Sequence, residues 1–132
     1  MKTFKPNSIE AVILFILYIC MQDKIISKEE IKELLVTAPI LNKMYLDIFG
    51  EYIAIDLQKM IDEINSYLEK NSQNFLNKNV SKFERNLISG LLTDFAAQDI
   101  ALLASRNAAS ADGLHRLENL KYKYWSKKWN ID

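Results

Sequence analysis

The feature that most constrains this chain is an unbroken apolar run near its start, Ala11 to Met21. Eleven consecutive side chains without a polar break leave no face of a helix or strand to turn toward water. The run is also short against the roughly 20 residues that a membrane span requires. Lys2 and Lys5 in front of it resemble the charged end of a secretory leader, which is the competing reading. Ile19 is bulky where a leader cleaved at Cys20 would need a small residue, and no small-residue cleavage site follows. Asn7-Ser8 after Pro6, with Glu10 two residues on, has the chemistry of a helix start. The expectation is therefore a central helix from about Ser8 to Met21, buried nearly all round.

The rest of the chain supplies helices to cover it. Three Gly and two Pro in 132 residues disfavour a turn-rich β fold. Between Glu51 and Lys70, Ile53, Leu57, Met60, Ile61, Ile64 and Leu68 recur at the spacing of one helical face. Ser27 with Glu30, and Ser81 with Glu84, are capping boxes that open two further helices. Pro39 is expected to interrupt the first of these, with another turn or two of helix from Ile40 to Phe49. In the second, Phe83, Leu87, Ile88, Leu91 and Leu92 continue the stripe, and Gly90 or Thr93 is expected to bend or divide it. The pattern stays helical from Asp94 to Ala111 but turns small, with Ala104, Ala108, Ala109 and Ala111, so this helix can approach a bulky neighbour closely. Leu117 to Trp129 forms the last helix. The reading is all-α: one domain over residues 1–132, with six to seven helices.

A short stretch occurs twice. Asp23 to Ile31 matches Asp112 to Leu120, with Asp on Asp, Ile25 on Leu114 and Glu29 on Glu118. Thirteen residues before each Asp stands another acid, Glu10 and Asp99. Each copy reads as helix, acidic loop, helix, which divides the chain into halves of about 7–70 and 81–129. Thirteen helical residues span about 20 Å, so the acids of one copy cannot meet each other. Were the two central helices antiparallel, Glu10 would join Asp112 and Glu118, and Asp99 would join Asp23 and Glu29. Such carboxylate clusters need a cation or a basic side chain such as Arg106 or Arg116 to neutralise them. A hard cation wants six or more oxygens, and each loop alone offers two acids six apart, so neither is an EF-hand. The plainer reading sets each Glu in the first turn of a helix, where the dipole favours an anion.

The apolar helix, then Ala111-Asp112-Gly113-Leu114 through Glu118, resembles the tellurite-resistance TerB-like family, with Asp23-Lys24-Ile25 through Glu29 as a degenerate copy. The resemblance implies a compact all-α bacterial domain whose acidic loops take a divalent cation, calcium or magnesium. It implies a stress-response or scaffold role in membrane-linked or co-chaperone assemblies, and no catalysis. Lys24 replaces the loop glycine of the first copy, and Asn119 stands in the second where the first has Glu30.

Other chemistry is thin. With 17 basic and 17 acidic residues the chain has no net charge to draw nucleic acid or an anionic membrane. A lone cysteine, Cys20, excludes an intrachain disulfide and fits a reducing, cytoplasmic setting. His115 is the only histidine, and no phosphate loop or nucleophile elbow is present, so an enzyme is not expected. The last helix interleaves Lys121, Tyr122, Lys123, Tyr124, Trp125, Lys127, Lys128 and Trp129. Tyr122, Trp125 and Trp129 with Lys121 and Lys128 form the candidate surface for a protein partner. The alternative is peripheral membrane attachment through the same residues, with nucleic acid a lesser prospect.

Overall fold

The computed structural model describes residues 5–20, 57–71, 80–109 and 116–131, with Lys32, Val36, Ile40, Lys43, Leu46, Asp47 and Gln73 as single positions. Five helices have defined bounds: α1 (Ile9–Cys20), α2 (Leu57–Lys70), α3 (Lys82–Leu91), α4 (Phe95–Ala109) and α5 (Arg116–Lys128). The single positions from Lys32 to Asp47 are helical as well, and no strand occurs among the described residues. The fold is all-α as expected. The capping box at Ser27–Glu30, the break at Pro39 and both acidic loops, at Asp23 and Asp112, lie outside the described residues, and so does the basis of the two-half repeat.

The apolar run is the core of the molecule. Every side chain of α1 from Ala11 to Ile19 is at most 1% exposed, as is Ile9. Full burial of one such large side chain contributes about 1.5–3 kcal/mol, so among the described helices α1 makes the largest apolar contribution. Its start is capped by Ser8, whose hydroxyl oxygen accepts the Ala11 N–H at 3.2 Å. The helices α2, α4 and α5 all pack on it, α4 most extensively. On α2, Ile61, Ile64 and Leu68 are buried in the core and Met60 packs against it, which are the members of the sequence stripe that fall among the described side chains; Ile53 and the Leu57 side chain lie outside them. On α4, Ala97, Ala101, Ala104 and Ser105 are buried along one face. That face meets the bulky α1, and the Ser105 hydroxyl is satisfied by donating to the Leu102 carbonyl at 3.0 Å.

The direction of α4 along α1 is set at one point. Asn7, just before α1, adopts φ 58°, a left-handed conformation that Asn tolerates better than most residues. Its backbone N–H donates to the Leu91 carbonyl at 2.7 Å. Its side-chain oxygen accepts from the Thr93 and Asp94 N–H groups at 3.0 and 2.9 Å, and its amide donates to the Thr93 hydroxyl at 2.8 Å. Asp94 in turn caps α4 through the Ala96 N–H. The starts of α1 and α4 are thereby held together, so the two helices run side by side in the same direction. This overturns the antiparallel arrangement. Glu10 sits beside the start of α4, and the 15 residues of that helix carry its other end about 22 Å away.

The α3–α4 break falls at Leu92–Asp94, where the chain turns by 119°. Thr93 lies in it, whereas Gly90 is an ordinary exposed helical position, and a methyl group there would meet nothing within 4 Å. Gly90→Ala should therefore stabilise the protein by about 0.5–1 kcal/mol through lower unfolded-state entropy, read as a higher urea midpoint with unchanged slope. A lower midpoint would mean that the bend needs glycine after all. The chain leaves α5 through a Schellman turn. Asn130 takes φ 56°, its N–H reaches the Lys127 carbonyl, and the Ile131 N–H reaches that of Ser126.

Candidate functional site

Three helices bring polar side chains together inside the core. Glu84 lies in the first turn of α3, where it completes the capping box: one carboxylate oxygen accepts the Ser81 N–H, while the Ser81 hydroxyl oxygen accepts the Glu84 N–H. The other carboxylate oxygen accepts from the Lys121 ammonium of α5. Tyr18, near the end of α1, accepts the Trp125 indole N–H at 3.2 Å and hydrogen-bonds Glu84. The Lys121 nitrogen also lies 5.0 Å from the centre of the Tyr18 ring. Glu84 and Trp125 are 0% exposed, Tyr18 1% and Lys121 3%.

Burial governs the electrostatics here. It pushes the Tyr18 hydroxyl well above its ordinary range, reinforced by the Glu84 charge and opposed by the Trp125 hydrogen bond. Tyr18 therefore stays protonated and donates to Glu84 while accepting from Trp125. Burial also pushes the Lys121 ammonium down, and the hydrogen bond and charge of Glu84 partly offset this. The cluster is a strut: its polar groups satisfy one another and tie α1, α3 and α5 together.

An aromatic cluster continues from it. Trp125 and Trp129 rings lie 5.1 Å apart, Phe15 and Trp129 5.3 Å, and Tyr124 meets Trp125 edge-on at 5.1 Å. The candidate surface of α5 is thus divided. Trp125 and Lys121 face the interior, Tyr122 and Trp129 pack against the core half-buried, and Lys128 remains exposed, 5.9 Å above the Tyr124 ring. The contact surface expected at Lys121 and Trp125 is withdrawn from solvent because the stripe of Lys121, Tyr122, Trp125 and Trp129 is the one that packs on α1.

The acids expected to hold a cation are placed only in part. Glu10 is half-buried in the first turn of α1, and Asp99 is exposed on α4. Glu118 falls in the first turn of α5, while its side chain, Asp23, Glu29 and Asp112 are outside the described residues. Among the described residues no three His, Cys, Asp or Glu side chains converge on a point. Elsewhere a cleft of about 680 Å³ lies between the end of α2, at Tyr67 and Lys70, and Phe83 of α3.

The second surface feature is one that the sequence reading passed over. Opposite its buried alanines, α4 presents Phe95 (65% exposed), Asp99, Leu103 (57% exposed) and Arg106 along one outward stripe. Their spacing of four, four and three is that of a single helical face, so the signal was present but masked by the apolar residues on both sides of the helix. The buried ion pair also had a signal: Lys121 stands one turn before Trp125 on an apolar stripe, where a charge needs a partner. No family model, no curated protein and no solved structure matches this chain. Among the described residues no single helix is long and apolar enough to cross a membrane.

Proposed function

We propose that this chain is a TerB-like helical scaffold that works by binding a protein partner and catalyses no reaction. The observation that supports the reading is the outward face of α4. Phe95 and Leu103 are large apolar side chains left in water on a rigid helix whose opposite face is locked onto α1. The burial and mutual pairing of Glu84, Lys121 and Tyr18 tie α1, α3 and α5 into the base on which that face is presented.

The test is affinity capture from a lysate of the source cell, quantified by mass spectrometry, comparing wild type with Phe95→Ser/Leu103→Ser. Both side chains are exposed, so the variant should keep its melting temperature within a few degrees. Capture of specific proteins should fall at least about tenfold, the loss expected when apolar contacts worth about 1.4 kcal/mol or more are removed. An identical capture profile for the two proteins would overturn the reading. Steeply salt-dependent binding to anionic vesicles or nucleic acid, indifferent to these substitutions, would replace it with the membrane or nucleic-acid alternative.

A further inference from the structure

We infer that the partner of the α4 face is a second copy of this chain, the two α4 helices lying antiparallel across a two-fold axis beside Leu103. This rests on the reading of that face as a docking surface and names what docks there. The exposed stripe alternates apolar and charged groups in the order Phe95, Asp99, Leu103, Arg106. Asp99 and Arg106 are seven residues apart, two helical turns or about 10 Å along the same face. A two-fold axis midway between them sets each Asp99 against the Arg106 of the other copy. The same axis falls within one residue of Leu103, so the two most central apolar side chains meet each other. Phe95 lies about two turns from Leu103, toward the far end of the opposing helix.

Charge selects this arrangement over its alternatives. A parallel, in-register pairing would face Asp99 with Asp99 and Arg106 with Arg106, which repel. The antiparallel pairing makes two reciprocal ion pairs flanking an apolar centre, the self-complementarity that a two-fold interface requires. A net charge of zero removes the long-range repulsion that would otherwise keep copies apart. One helix face buries less than the 1,200–2,000 Å² of a standard stable interface, so the dimer should dissociate in the range of about 10–100 μM.

Sedimentation equilibrium over about 5–500 μM tests this across the expected dissociation range. The weight-average mass of the wild type should climb from the 15.3 kDa of one chain toward twice that value. Asp99→Arg alone, and Arg106→Asp alone, should each weaken association at least about tenfold, because each replaces two ion pairs by two repulsions. The double reversal, Asp99→Arg with Arg106→Asp, should restore it. Both substituted positions are exposed, and circular dichroism melts of each variant check that it is folded before its mass is read. A wild type that stays monomeric throughout overturns the inference. The docking reading survives that outcome if capture of another protein still depends on Phe95 and Leu103. A dimer indifferent to the single reversals, or one not restored by the double reversal, overturns the inference equally.

Discussion

Lys121→Met is expected to destabilise the fold by about 3–5 kcal/mol, because it leaves Glu84 charged and fully buried without its cation. The Ser81 N–H and Tyr18 hydroxyl still reach the carboxylate, but two neutral donors do not offset the cost of a desolvated anion. Glu84→Gln should destabilise the fold from the other side, since glutamine can keep the capping box but removes the carboxylate charge that faces the buried Lys121 ammonium. The informative measurement is the cycle. The double variant Glu84→Gln/Lys121→Met buries no charge, so it should be more stable than the two single losses added, with a coupling of about 1–3 kcal/mol. Urea unfolding followed by circular dichroism gives all four values. Single losses below about 1 kcal/mol would show that the ion pair is not what holds α5 to α3.

Trp125→Ala should cost about 3–5 kcal/mol, the loss typical of emptying a large aromatic site in a close-packed core. The cavity would open between Tyr18, Tyr124 and Trp129, which contact the indole from different directions. Trp125→Phe separates volume from polarity. It retains most of the packing but withdraws the donor from the Tyr18 hydroxyl, for an expected cost of about 1–2 kcal/mol. The pair of variants also decides how α5 is used. Were Trp125 part of a surface that meets lipid or a partner, its truncation would change stability by no more than about 0.5 kcal/mol. A near-neutral Trp125→Ala melt would therefore contradict the burial of this stripe.

Both predictions concern residues whose type was visible in the sequence but whose surroundings were not. Glu84 was legible as the N3 residue of a capping box opened by Ser81, and the box is present. Its second oxygen was not legible, because the partner lies 37 residues away on another helix. For α5, the sequence showed basic residues interleaved with aromatics but not which of them turn inward. That required knowing where α1 passes, and the side that packs on α1 carries Lys121 and Trp125. The helical repeat remains a matter of the Asp23 and Asp112 loops, whose residues are not among those described.

Periodicity, capping chemistry and the scarcity of glycine and proline are local properties, carried within windows of a dozen residues. They sufficed for the all-α class, for α1 as the buried centre, for the buried stripe of α2, and for the Ser81 start of α3. The course of α4 along α1 depends on hydrogen bonds from Asn7 to Thr93 and Asp94, 86 and 87 positions along the chain. The Tyr18–Trp125 bond joins residues 107 positions apart. No local window contains both partners of such contacts, and the same helices with the same faces can pack parallel or antiparallel. Packing around α1, and the need to satisfy each polar group buried with it, settled the direction of α4 and the inward face of α5.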